Sequence, residues 1–215
     1  MLEIYSAATG LYQTNTYILR DSGTGKTAVV DPAVYDEGYE SFLASHDVNS
    51  VDYILLTHGH FDHICGVYHL KEKTGAKVLI HEEDAMCLEN IDYSLTSAVK
   101  GYSQIPMSAD RILSDGDEIG LGETVFKVMH TPGHTKGSVI YITDGHIFSG
   151  DTLFRCSMGR TDLPGGSTKT LFKSLRAIGQ IQGEYNIYPG HGEFSTLSYE
   201  KRNNRYLRAN DTSHN

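Results

Sequence analysis

The sequence predicts an α/β fold in which β-sheets pack on one another and helices cover the outside. Three observations predict it. Short apolar runs of β-type residues outnumber helical patterns, and the helical patterns fall between groups of strands. Four of these runs stop abruptly where a glycine stands beside a histidine or an aspartate. The chain has 215 residues, 39% apolar and 21% charged, which suits one soluble globular domain over 1–215 with a substantial core. The pattern alone leaves the topology open.

The elements follow in order. Residues 15–20 and 27–31 read as two strands joined by the turn Asp21-Ser22-Gly23-Thr24-Gly25. A short helix is expected over 38–46. Next, Val51-Asp52-Tyr53-Ile54-Leu55-Leu56-Thr57 is an apolar β-type run ending at His58. A helix over about 65–73 is stopped by Gly75, then come a strand over 77–81 and a helix over 82–90. Segment 91–111 is less regular and reads as a loop with helical pieces. In the second half, strands are expected over 124–129, 138–143 and 146–149. Residues 168–178 read as a helix with Ser167 as its N-cap, 185–188 as a last buried strand, and 198–207 as a terminal helix. No linker, low-complexity stretch or short repeat interrupts the chain.

The formal net charge is -9. An acidic surface argues against nucleic-acid binding, which needs clustered Lys and Arg, and against anionic membrane surfaces. A small anionic substrate stays compatible, because nearby groups set the field in a cleft. No run approaches a membrane-spanning length, and Met1-Leu2-Glu3-Ile4-Tyr5 does not read as a signal peptide. Three cysteines, Cys65, Cys87 and Cys156, are too few and too scattered for a disulfide framework. A reducing cytoplasm suits them better. Cys65 is expected to start a helix and pack inside, and Cys156 to be a small buried or semi-buried filler.

The central signal is Thr57-His58-Gly59-His60-Phe61-Asp62-His63. Imidazole nitrogen and carboxylate oxygen are the ligands that zinc, iron and manganese take from proteins. His58 and His60 lie two apart, so an extended backbone points them to one side. Asp62 and His63, on the turn into a helix, can face a second metal. Thr131-Pro132-Gly133-His134-Thr135, Gly150-Asp151-Thr152 and Pro189-Gly190-His191-Gly192 each follow an expected strand end. A lone G-H or G-D is usually just a turn; four such sites together carry weight.

The series H-x-H-x-D-H, H-T-P-G-H-T, G-D-T-L-F and P-G-H-G resembles the metallo-β-lactamase superfamily, from about Asn15 to the last helix. The resemblance implies an αββα sandwich of two mixed sheets with the metals at one edge. It implies that His58, His60 and His134 bind one metal, that Asp62, His63 and His191 bind the other, and that Asp151 bridges them. It also implies catalytic roles for Asp62 and Asp151. The expected cofactors are two divalent metal ions, with zinc as the default and iron or manganese as fitting occupants. Asp31 is the candidate for orienting the imidazoles from behind.

Within the superfamily, Gly150-Asp151-Thr152-Leu153-Phe154 and Gly159-Arg160-Thr161-Asp162-Leu163-Pro164-Gly165-Gly166 resemble the short bacterial glyoxalase-II-like enzymes. Tyr188-Pro189-Gly190-His191-Gly192, with Glu200-Lys201-Arg202-Asn203-Asn204, fits the same subgroup. The lactamase enzymes typically carry Cys at the position of Asp151. Flavodiiron proteins carry Glu at the position of His60. The resemblance implies a metal-dependent hydrolase that cleaves a small thioester, S-lactoylglutathione-like, by attack of a metal-bridging hydroxide. The alternatives are a mononuclear-iron persulfide dioxygenase and a lactone or ester hydrolase. Full-length glyoxalase II grips glutathione with a helical C-terminal domain, and here that grip is expected to be missing or replaced by something else. Arg160 is a candidate contact for substrate, with pairing to Asp162 as the plainer reading. The expected partner is the small substrate alone, on a monomer or small homo-oligomer. His69, His81, His130 and His146 match no ligand position. Thr57 and Thr131 are expected to bond nearby backbone.

Overall fold

The computed structural model describes residues 1–208. The first sheet holds β1 (Leu2–Thr9), β2 (Thr14–Asp21), β3 (Thr27–Val30), β4 (Tyr53–Leu55), β5 (Lys77–His81) and β6 (Arg111–Leu113), side by side in that order. β1 to β3 pair antiparallel and β3 to β6 parallel. The second sheet runs in the order β14, β13, β10, β9, β8, β7, from β7 (Glu118–Leu121), β8 (Thr124–His130), β9 (Val139–Thr143), β10 (His146–Gly150), β13 (Asn186–Pro189) and β14 (Ser195–Thr196). β10 and β13 are parallel and the other pairs antiparallel, so both sheets are mixed. A hairpin of β11 (Leu153–Phe154) and β12 (Ser157–Met158) stands apart.

The first sheet is buried on both faces, and the period of two along its strands sorts the side chains. Ile18, Val29, Ile54, Val78 and Ile80 face outward onto α1 (Glu37–Ser45), α2 (Phe61–Ile64), α3 (Val67–Thr74) and α4 (Ala85–Glu89). Tyr17, Leu19, Ala28, Val30, Leu55 and Leu79 face inward onto Phe126, Val128, Tyr141 and Phe148 of the second sheet. The outer face of that sheet, with Ile140, Ile147 and Ile187, is covered by α5 (Thr168–Gly179), α6 (Leu197–Asn203) and α7 (Arg205–Arg208). Three apolar layers between four structural layers make the αββα sandwich.

Local signals account for several boundaries. Asp36 caps α1 by accepting from the Tyr39 amide at 2.8 Å. Gly75, at φ 72°, ends α3, and Ser167 caps α5 by accepting from the Thr170 amide. Other boundaries differ from expectation. A strand over Leu2–Thr9 joins the expected pair. The helix expected over about 65–73 is α3, starting at Val67, and a separate short helix, α2, precedes it, which Cys65 closes instead of starting a helix. The expected 82–90 helix begins with a 3-10 turn over Glu82–Asp84. The expected terminal helix breaks at Asn204, whose side chain donates to the carbonyl of Ser157 and to Glu200. Cys156 is exposed, at φ 55° in the hairpin turn, and so is not the buried filler expected. No helix among the described residues is long and apolar enough to cross a membrane.

Candidate metal centre

Five strands, drawn from both sheets, release the chain at one edge of the sandwich. β3 leads to Asp31, β4 to His58, β8 to His134, β10 to Asp151 and β13 to His191. The sheets are laced together there: the Val139 amide donates to the Thr57 carbonyl at 2.8 Å, and the Tyr141 hydroxyl to the Leu56 carbonyl at 2.6 Å. The strand ends are therefore a rigid base from which the loops project.

The structure brings all seven expected side chains together. His58, His60 and His134 form one group with ligand atoms within 4.8 Å of one another; Asp62, His63 and His191 form a second. Asp151 reaches both, with Oδ1 3.4 Å from His63 Nε2 and Oδ2 3.5 Å from His134 Nε2. Its Oδ2 is also 3.6 Å from His191 Nε2. Asp31, His58 and His63 form a third cluster, but both Asp31 oxygens are already hydrogen-bonded, Oδ1 by the Thr57 amide and Oδ2 by the Thr57 hydroxyl and His63 Nδ1.

Hydrogen bonds behind the rings set their tautomers. His63 Nδ1 donates to Asp31 Oδ2 at 2.9 Å. His134 Nδ1 donates to the Arg160 carbonyl at 2.7 Å, and His191 Nδ1 to the Tyr12 carbonyl at 3.1 Å. His58 Nδ1 lies 3.1 Å from the Thr57 hydroxyl, which itself donates to Asp31 Oδ2 at 2.6 Å. The Thr57 hydroxyl thus serves a carboxylate and an imidazole, not the backbone bond expected. In each of the four rings the outer nitrogen has a partner that can hold its proton, so Nε2 is the atom that faces inward and would offer its lone pair to a bound metal.

The donor set fits a transition metal. His58 Nε2 and Asp151 Oδ1 are buried with no hydrogen-bond partner, an arrangement that costs stability unless something else binds them. Burial, with His63, His134 and His60 around it, pushes the His58 imidazole well below its usual range; burial and His134 push His60 down to about 3. Both are neutral, the form that donates a lone pair. On the other side, burial disfavours charge on His63, but Asp151, Asp31 and Asp62 outweigh it and raise the ring to about 10. Burial opposes ionisation of Asp62 too, yet His63 and His191 hold it well below the usual carboxylate range. The second group attracts positive charge, and a cation satisfies the same carboxylates.

The approach of the loops is close. A Cβ on Gly190 would sit 2.1 Å from Asp151 Oδ1 and 2.8 Å from His63 Cε1, so only glycine fits before His191. Asn15 pins that loop, its side-chain amide donating to the Pro189 and Gly192 carbonyls at 3.0 Å each. Arg160 forms a bidentate pair with Asp162, both distances 2.8 Å, at the exposed rim. The other described histidines stay outside the cluster; His81, for example, stacks on His130 with ring centroids 4.0 Å apart.

One contributor escaped the sequence reading. Asp84, buried, accepts from the Gly59 amide, the Thr135 hydroxyl and the Gly137 amide. It fastens the loop bearing His58 and His60 to the one bearing His134. Glu82-Glu83-Asp84 looks like an acidic helix start, and nothing in the sequence sets its third residue apart.

A model of the Metallo-beta-lactamase superfamily matches residues 9–191. A probable metallo-hydrolase of Methanocaldococcus jannaschii is 31% identical over 200 residues, covering 88% of this chain and 94% of that protein. The crystal structure of BLEG-1 B3 metallo-beta-lactamase superposes with a TM-score of 0.89 at 31% identity, covering 96% of this chain and all of the other. The crystal structure of TTHA1623 in a di-iron-bound form superposes with a TM-score of 0.84 at 33% identity, covering 94% of this chain and 100% of that one.

Proposed function

The chain belongs to the metallo-β-lactamase superfamily, and from that premise we propose a metallo-hydrolase that cleaves a small thioester, with S-lactoylglutathione as the reference compound. The observation that supports it is the meeting of His58, His60, Asp62, His63, His134, Asp151 and His191 at one edge of the sandwich, where His58 Nε2 and Asp151 Oδ1 are buried without partners. The G-D-T-L-F and G-R-T-D segments, similar to glyoxalase-II-like enzymes, support the choice of thioester.

His58, His60 and His134 would hold one divalent metal and Asp62, His63 and His191 the other, with Asp151 between them. Bound there, the metals lower the pKa of a coordinated water and polarise the carbonyl under attack. Zinc is the default; the likeness to a di-iron form keeps iron open. The protein's own residues position and exclude. Asp31 fixes the His63 ring through Nδ1, and the Arg160 and Tyr12 carbonyls fix His134 and His191. Asp62, ionised, lining the cleft and with Oδ2 3.3 Å from His191 Nε2, would orient the attacking water. The flanking cleft holds the substrate against that water.

A second reading, β-lactam cleavage, is favoured by the likeness to BLEG-1. The test is elemental analysis of the purified protein together with turnover of thioesters, lactones, a β-lactam and a persulfide. About two metals per chain and thioester turnover are expected. Turnover of the β-lactam alone would favour the second reading, and a single iron with oxygen uptake on the persulfide overturns both.

A further inference from the structure

Beside the metal centre the protein opens a cleft of about 850 Å³. Leu95, Ala98, Val99, Met158, Leu163 and Pro164 are among the residues that line it. One cationic side chain outside the metal group reaches the lining, Arg160, and its guanidinium is already engaged by both oxygens of Asp162. The wall thus offers apolar surface and a neutralised ion pair in place of a free anion site.

Leu95 has a left-handed backbone, at φ 68°. Asn or Gly adopts that conformation at lower cost than Leu. Its neighbours nonetheless hold it firmly. The Ser94 carbonyl accepts from the Phe61 amide at 2.9 Å, inside the His-rich motif itself. The Gln104 side-chain carbonyl accepts from the Ser94 and Thr96 hydroxyls at 2.5 and 2.9 Å, and its NH2 donates to the Cys87 and Leu88 carbonyls. A costly backbone that its surroundings over-determine points to a demand on the side chain. Leu95 lines the cleft.

We propose that the substrate carries an apolar chain of several carbons on its scissile thioester, lying against Leu95 and Val99, so that the enzyme selects chain length instead of an anionic carrier. The scissile group rests on the thioester-hydrolase reading; the chain site rests on the cleft. Each methylene buried there strengthens binding about fourfold, from about 0.8 kcal/mol per CH2.

The test uses the metal-loaded protein. One series lengthens the acyl chain on a fixed neutral thiol, and a second lengthens an alkyl thiol on a fixed acetyl group, which shows the side of the scissile bond that bears the chain. In one series kcat/KM is expected to rise about three- to fourfold per carbon over the first several carbons. In parallel, calorimetry measures the Kd of ketone analogues in which CH2 replaces the sulfur, with a rise in affinity expected between methyl and octyl chains. A rising affinity with no thioester turnover sinks the thioester reading and leaves the chain site standing. Turnover and affinity that are both flat with length overturn the chain site and leave the hydrolase. A preference for a glutathione carrier that Arg160→Met removes also overturns it. Leu95→Asn, suited to the same backbone, is expected to reduce the slope, and Val99→Thr, of matching shape, to do the same. Unchanged slopes in both folded variants overturn the placement.

Discussion

Asp84 Oδ2 accepts the Thr135 hydroxyl at 2.7 Å in the interior, and the same oxygen accepts the Gly59 amide at 2.9 Å. Its Oδ1 takes the Gly137 amide at 2.8 Å. One carboxylate therefore sets the spacing between the two loops that carry His58, His60 and His134. Asp84→Ala strips three buried donors, each worth about 1–3 kcal/mol when left unpaired. We expect a loss of roughly 3 kcal/mol or more in chemical denaturation. We also expect metal affinity about 10–100-fold weaker by chelator competition, as for other groups that support ligands from behind. Wild-type stability and affinity in this variant would remove the strap.

Asp151→Ala tests the span between the two ligand groups. Asp151 is the residue whose two oxygens face a ring from each group, and its Oδ1 makes no other bond. Its removal opens no apolar cavity, so the fold should survive by circular dichroism. Metal content should fall below two per chain, and thioester turnover by at least about 10²–10³-fold. Turnover that persists would take Asp151 out of the reaction.

Gly190→Ala asks the same question by crowding. The new methyl would meet Asp151 Oδ1 at 2.1 Å and His63 Cε1 at 2.8 Å. The ring is sealed in and bonded to Asp31, so the carboxylate is the group that gives way. The variant should resemble Asp151→Ala in metal content. It should also lose most of the rise in Tm that added metal confers on the wild-type protein, worth about 2.7 kcal/mol at a hundredfold excess over Kd. A wild-type metal response would show that the two loops can part without harm.

The meeting of the seven side chains was legible because ligand chemistry restricts residue type so tightly. His58, His60, Asp62 and His63 are adjacent in sequence, and His134, Asp151 and His191 each stand beside a glycine at a strand end. The buried strands over 77–81 and 146–149 were legible too, since burial on both faces selects apolar residues. β1 was not. Leu-Glu-Ile-Tyr-Ser-Ala-Ala-Thr is small or polar along much of its length, and its strand is made by pairing with β2 from Leu2↔Asp21 to Thr9↔Thr14. Asp84 escaped for a related reason: the groups it binds lie 25, 51 and 53 positions away, and only the folded chain brings them to it. Leu95 carries a backbone that its residue type disfavours, so local preference argued against the conformation the tertiary network imposes.

Far from the metal centre, Asp21 sets a dependence of stability on acid. Its buried carboxylate accepts from the Thr24 amide and the Thr24 hydroxyl at 2.9 and 2.7 Å, and from the Thr124 hydroxyl at 2.9 Å across the two sheets. The Thr24 hydroxyl bond is the largest influence. Together with the Thr124 and backbone donors it outweighs burial and brings the pKa down to about 2, from an ordinary value of 3.8. A carboxyl held lower in the folded state stabilises the fold above its unfolded pKa, and that contribution fades as pH falls through the folded one. Asp21→Asn loses one acceptor oxygen and turns an amide toward donors, so it should melt below the wild type at pH 7. The gap should stay constant down to about pH 4 and close between there and pH 2. Gly122→Ala, at φ 63° with its Cβ 2.6 Å from Asp21 Oδ1 and 2.1 Å from the Thr24 hydroxyl, should reproduce that narrowing on top of a pH-independent loss. Melting curves that stay equally far apart from pH 7 to pH 2 in both variants would show that this carboxylate carries no part of the acid response.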